Sequence, residues 1–327
     1  MNYWSLGEMD HHDGLRNRNS GFESQGDRQK IMEKNKKIFW ITSYPKSGNT
    51  WIRLILCALF FTKEGNLNDF NILTKIPKFD VLKNFEFVKD ISNKDYLTIF
   101  NKSDKYNQET LKTYSKYWAE AEKRIIITDG QFGFFKTHNG RIKVDSNLYA
   151  NTLSTAGFIY IYRDPRDIVI SYAKHLQKNA DFTVDYLLNG QIIGNDKEKD
   201  FLPEITLNWG DHYLSWKKFK EVPSIYIRYE NLLEDPYREI NNLIKFFYNN
   251  YNIEIDNKDL KIKNIIQSTN FNNLVELEKK YDFKERLQSK KFFRVGKKNQ
   301  WKDNLDQNKV SMIEDKFNAI MKELNYL

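Results

Sequence analysis

The residues whose types suit chemistry in this chain lie in four short stretches. The first is Ser43-Tyr44-Pro45-Lys46-Ser47-Gly48-Asn49-Thr50-Trp51, which follows a short apolar run and opens a helix. A strand, tight turn and helix in that order make backbone N–H groups and a helix N-terminus converge on an anion. Gly48 lets the backbone approach closely. Lys46 adds a mobile point charge, Ser47, Asn49 and Thr50 offer donors to phosphate or sulfate oxygens, and Trp51 offers a flat face to a purine. Taken alone, the nonapeptide also fits a tight turn capped by Ser and Thr, with Lys46 in solvent.

Arg163-Asp164-Pro165-Arg166-Asp167 follows a second apolar run, and Ser171 lies two helical turns beyond Arg163. Both side chains reach one phosphate if the helix packs beside the strand. An ion-pair cluster capping the helix is the alternative. A third stretch, Phe292 to Lys302, carries Arg294, Val295, Gly296, Lys297 and Lys298, and a fourth, Gly133 to Gly140, ends a strand in Lys136-Thr137-His138. Trp209, His212 and Trp216 share a helix face and read as packing.

In order, these stretches resemble the signatures of the cytosolic-type sulfotransferases, which use 3′-phosphoadenosine 5′-phosphosulfate (PAPS). ITSYPKSGNTW resembles TYPKSGTTW with Asn49 for a Thr, and IYRDPRDIVISY resembles YxxRNPKDVxVSY with Asp164 for an Asn. FFRVGKKNQWK resembles FxRKGxxGDWK, with Val295 for a Lys and Asn299 for the second Gly. KTHNG resembles KTHLP. The resemblance runs from about Lys36 to Leu327. It implies that Ser47, Gly48, Asn49, Thr50 and Trp51 bind PAPS with Lys46, that Arg163 and Ser171 hold its 3′-phosphate, and that Arg294, Val295 and Gly296 close over it. Arg228 and Tyr229 are placed near the base. Asn tolerates a left-handed conformation, so Asn299 is expected to preserve the loop, and Lys297 and Lys298 to replace the missing charge.

The chemistry so implied is sulfuryl transfer to a hydroxyl, or to an amine or carbamoyl nitrogen, of a small-molecule acceptor, leaving the nucleotide product PAP. His138 is the expected general base, Lys46 the cation at the bridging oxygen and Lys136 the cation at the sulfuryl oxygens. No metal is implied. The competing reading is a P-loop kinase or hydrolase, but GxxxxGK[ST] needs its Lys after the last Gly, and Lys46 precedes Gly48. A non-catalytic nucleotide-binding scaffold is the third.

The elements that must position these groups follow from pattern. Apolar runs at Lys37–Tyr44, Gly133–Lys136, Gly157–Tyr162 and Ser224–Tyr229 alternate with helical stretches. An α/β, P-loop-like nucleotide-binding fold follows, with a central, mostly parallel sheet flanked by helices. Residues 1–33 have no hydrophobic period and read as a flexible tail, with His11 and His12 solvated in it. Residues 34–327 read as one domain with acceptor-pocket insertions near 62–124 and 178–201. Within the first, helices are expected near Asp80–Val88 and Glu109–Glu122.

Basic residues number 52 and acidic residues 44, interspersed along the chain, so the +8 excess fits an anionic ligand without the dense basic run of a nucleic-acid binder. The lone Cys57, in an apolar stretch, reads as a buried thiol. With no long apolar span and no leader pattern, a cytoplasmic location without membrane attachment is expected. Asp306, Gln307 and Ser311 depart from the KxxxTVxxxE dimer pattern of many relatives, so monomer and homodimer both stay open.

Overall fold

The computed structural model describes residues 37–100, 108–193, 201–281, 283, 285 and 291–327. The expected tail, and parts of both expected insertions, lie outside the described residues.

Four parallel strands form the central sheet: β1 (Ile38–Ser43), β2 (Gly133–Thr137), β3 (Thr155–Tyr162) and β4 (Ser224–Arg228), in the order β2-β1-β3-β4. Every residue of β1 is buried, as a central strand covered on both faces requires. Its alternate side chains serve different layers. Ile38 and Trp40 join Phe158, Tyr160, Trp209 and Trp216 on one face, while Phe39 and Ile41 join Ile159, Ile161, Leu56 and Phe247 on the other.

Helix α1 (Asn49–Phe61) leaves β1 after the loop, and α2 (Pro165–Leu176) leaves β3. Asp164 caps α2 by accepting from the Arg166 N–H, and Pro165 sits at its first turn, where a missing N–H costs nothing. The expected helix starts are therefore found. Further helices are α3 (Ala180–Asn189), α4 (Trp209–Lys217), α5 (Pro236–Tyr251), α6 (Lys258–Thr269), α7 (Phe271–Lys280) and α8 (Gln307–Glu323). Cys57 is buried in α1, and burial pushes its thiol up to about 12, so it packs as an inert side chain.

The first insertion departs from expectation. Around Asp80–Val88 only a short 3-10 turn, Leu82–Asn84, forms before the helix Val88–Ile91, because the chain just upstream is held as an extended edge. There the Phe79 N–H donates to Lys136 O and the Lys136 N–H to Pro77 O, at 3.1 and 2.8 Å. The expected helix over Glu109–Glu122 is two, Gln108–Ser115 and Trp118–Arg124. Tyr117 turns between them, its hydroxyl donating to Asp95.

The strand order reverses direction between β1 and β3, and in open parallel sheets the crevice outside the carboxyl ends of the strands at such a point receives ligands. The loop after β1, His138 after β2, Arg163 after β3 and Tyr229 after β4 all stand at that edge.

Candidate active site

The loop between β1 and α1 is built around two left-handed residues, Lys46 at φ +68° and Gly48 at φ +105°. Gly48 is doubly constrained: a Cβ there would meet the Tyr229 ring at 2.7 Å. No side chain caps α1, so the N–H groups of its first turn are left to a ligand. The Ser47 hydroxyl, the Trp51 indole nitrogen and Arg163 Nε are buried without a hydrogen-bond partner among the described residues. Trp51 and Arg163 also line the cavity described below, and their orphaned groups suit a polyanionic ligand there.

Asn49 does not act as its position first implies. Its amide donates to Ile41 O at 3.3 Å and to the Ser43 hydroxyl at 3.2 Å, so it ties the loop to the end of β1 instead of aiming a donor outward. The Thr50 hydroxyl donates to Glu285 at 2.9 Å, and Glu285 also pairs with Arg53. Burial opposes its ionisation, but Arg53, Lys136 and Thr50 prevail and hold the carboxyl down to about 2.

Arg163 reaches Lys46 O and Lys297 O, at 3.4 and 3.0 Å, and its guanidinium stacks on Tyr229. Asp167 accepts the N–H groups of Asn299 and Trp301, at 2.8 and 3.0 Å, and so fastens the C-terminal loop to the first turn of α2. Asn299 is left-handed at φ +61°, as its replacement of a Gly demands. The ion-pair cluster is present as well: Arg166 pairs with Asp164 at 2.7 Å and with Glu314 at 2.5 Å. Two expectations fail. Lys298 is committed to Glu234, and neither Lys297 nor Lys298 lines the cavity described below. Arg228 pairs with Glu230 and stacks on Tyr326, turned from the site toward the C-terminus.

His138 lies 2.7 Å from Ser43 O through Nδ1, so Nδ1–H donates and Nε2 keeps the lone pair. Burial and the neighbouring Lys136 hold its pKa well below the ordinary histidine value. The ring is therefore neutral at pH 7. Burial brings Lys136 down to about 8, with Glu204 working in the other direction. Lys46 falls to about 7 through burial and the charges of Arg294 and Arg163. His212 is a packing residue: Nδ1 meets the Tyr160 hydroxyl at 2.8 Å and Nε2 meets His138 O at 3.2 Å.

One cavity of about 840 Å³ is lined by Lys46, Gly48, Asn49, Thr50, Trp51, Lys136, His138, Arg163, Ser171, Tyr229, Arg294, Val295 and Gly296. Of the residues expected to bind the nucleotide or carry the chemistry, Ser47, Arg228, Lys297 and Lys298 are absent from its wall, the Ser47 side chain lying buried in the loop. Sequence reasoning missed Thr269, Phe271 and Leu274 near the α6–α7 junction, together with Lys78, Glu204 and Glu285. The three aligned with α6 and α7 carry no local mark, since a helix end with one aromatic is ordinary. Among the described residues no helix is long and apolar enough to cross a membrane.

A model of the sulfotransferase domain matches residues 36–325. Among curated proteins, the chain is 22% identical to flavonol 3-sulfotransferase of Flaveria bidentis, over 84% of this chain and 78% of that one. It is 23% identical to cytosolic sulfotransferase 16 of Arabidopsis thaliana, over 85% and 75%. Among solved structures it is similar to retinol dehydratase in a complex with retinol and PAP, with a TM-score of 0.54 and 18% identity over 88% and 82% of the two chains. A match that spans β1 to the C-terminal helix takes in every strand, both phosphate-type loops and the His138 segment, and this chain belongs to the sulfotransferase family.

Proposed function

We propose that the chain moves the sulfuryl group of PAPS onto a hydroxyl, or an amine or carbamoyl nitrogen, of a small-molecule acceptor by in-line displacement. The observation that carries this reading is that Lys46, Lys136 and His138 line one cavity with Arg163, Ser171 and Arg294. The orphaned Arg163 Nε, in a residue that lines the cavity, and the uncapped start of α1 fit a polyanionic nucleotide. PAPS supplies an activated sulfuryl group on a good leaving phosphate.

The protein supplies position, charge and a base. Arg163, Ser171 and Arg294, which line the same cavity, hold the 3′-phosphate. Trp51, Tyr229, Phe271 and Leu274 offer the flat apolar surfaces a purine needs. Nε2 of His138 accepts the acceptor's proton as the bond to sulfur forms. Lys46 carries positive charge to the oxygen that leaves with the nucleotide, and Lys136 to the oxygens around sulfur. Tyr172, Phe182, Tyr186, Ile193 and Phe201 make the other part of the wall, which suits a largely apolar acceptor.

PAP at about 100 times its Kd should stabilise the protein by about 2.7 kcal/mol and raise Tm accordingly. ATP with magnesium should give no comparable rise; the reverse pattern would favour a kinase. Arg163→Ala should weaken PAP binding roughly 10- to 100-fold, the value of charge-assisted hydrogen bonds to a phosphate. Titration calorimetry reads it, and unchanged affinity would remove Arg163 from the nucleotide site. Labelled PAPS offered to a metabolite extract, with mass spectrometry of labelled products, identifies the acceptor.

A further inference from the structure

Glu204 stands in a two-residue strand, Glu204–Ile205, 66 residues beyond His138, and carries a carboxylate that is 1% exposed. One oxygen accepts the backbone N–H of His138 at 2.5 Å and faces the Thr137 hydroxyl at 3.4 Å. The other lies 2.9 Å from the Lys78 ammonium and 3.6 Å from that of Lys136. A single buried carboxylate thus touches both a proposed catalytic lysine and the backbone of the proposed base.

The placement is built in detail. The Pro77–Phe79 segment runs along β2, which brings Lys78 beside Lys136. The Leu202 N–H donates to Asp80 O, and Val81 bridges to Phe201, which brings the Glu204 segment onto the same edge. The Ile205 N–H donates to the Asn139 side chain at 2.6 Å, and the Gly140 N–H to Ile205 O at 2.8 Å. Here the departure from the relatives' KTHLP gains a reason. A proline at position 140 has no N–H to give Ile205, and a leucine at 139 has no amide oxygen to receive one. Asn139 and Gly140 are the clamp that holds Glu204 against His138.

We infer that Glu204 is a positioning residue for sulfuryl transfer, fixing the place and charge of Lys136 and the seat of His138. The inference rests on the function proposed above for those two residues. Burial alone costs a lysine its charge, and two ammonium groups side by side raise that cost. Lys136 feels Glu204 and Glu285 as anions and Lys78 and Arg53 as cations; His138 feels Lys136, Glu204, the Ser43 carbonyl and His212. Burial works against the ionisation of Glu204, but Lys136 and Lys78 prevail and keep it charged. Asp80, beside it, is pushed up to about 7 by burial and by Glu204, so Glu204 is the one of the two carboxyls that ionises first.

The test compares wild type, Glu204→Gln, Glu204→Asp and Lys78→Met. An amine-reactive reagent, with mass spectrometry of the peptide carrying Lys136, titrates that ammonium without turnover. Glu204→Gln removes an anion, so its midpoint should fall below the wild-type value of about 8; Lys78→Met removes a cation, so its midpoint should rise. A downward shift of about one unit cuts the charged fraction at pH 8 from about one half to about one tenth. The alkaline limb of kcat should move with each midpoint, and Glu204→Asp should restore part of kcat while KM for PAPS stays nearly constant. Opposite shifts are a readout that a merely structural role would not give.

Unmoved midpoints in the folded variants overturn the inference, as does a moved midpoint with unchanged kcat. If Glu204→Gln fails to fold, Lys78→Met decides by itself: an alkaline limb that stays in place overturns it. Midpoints that shift as expected in a protein that transfers no sulfuryl group would instead sink the proposed function and leave Glu204's control of Lys136 standing.

Discussion

His138→Ala is expected to lower kcat by about 10³-fold, within the range of about 10² to 10⁴ that a positioned general base contributes, while PAP affinity changes little. The reasoning starts from the tautomer. Ser43 O takes the Nδ1 proton at 2.7 Å, so the ring presents a bare Nε2, and no reorientation is needed before the proton moves. Burial and Lys136 depress the pKa, which keeps the base free of a proton across the neutral range. The sign for activity follows: a base must be neutral, so its contribution is complete at pH 7 and lost only as pH falls through a value well below the ordinary histidine pKa. Wild-type kcat should therefore stay level through the ordinary histidine range and decline only well below it. In the alanine variant the residual rate should lose that acid limb. Steady-state kinetics across pH, with PAP affinity by calorimetry, check both parts. Retained kcat would remove His138 from the mechanism.

How far the site was legible depends on whether each residue acts through its neighbours in sequence or through distant ones. The β1 run, the turn at Gly48 and the start of α2 at Asp164-Pro165 are local features, decided by apolar continuity, left-handed geometry and capping, and each stands where pattern placed it. Asn299 is a similar case, since a left-handed position is a property of one residue. Asn49 shows the limit. Its type suits an anion donor, yet the end of β1 leaves the Ile41 carbonyl and Ser43 hydroxyl within its reach, and those internal partners take its amide. Glu204 and Glu285 were invisible because neither lies in a periodic segment, and both act through partners far away in sequence. The Asp80 region misled for a related reason: its composition favours helix, but pairing with the edge of β2 and burial of the carboxylate under Tyr114 and Tyr149 hold it extended. Long-range pairing outweighs helix propensity there, which is a weak term per residue.

Lys46→Met should lower kcat by about 10²- to 10³-fold, the effect of removing one preorganised charge from a developing anion, and should also change how PAP affinity depends on pH. In the free protein burial, Arg294 and Arg163 bring Lys46 down to about 7, so near pH 8 most of it is uncharged. A polyanionic nucleotide beside it favours the ammonium and raises that pKa. Binding must then take up a proton above pH 7, and affinity is highest below the free-state value. It should fall by up to about tenfold per pH unit above it, until the bound-state pKa is reached. Lys136, at about 8, adds a smaller uptake at higher pH. Calorimetry at pH 8 in buffers of different ionisation enthalpy counts the protons directly. Wild type should absorb protons on binding PAP, and Lys46→Met should absorb distinctly fewer, with a flatter affinity profile between pH 7 and 8. Equal uptake by the two proteins would mean that Lys46 does not face the nucleotide, and its place in the transfer step would be lost with it.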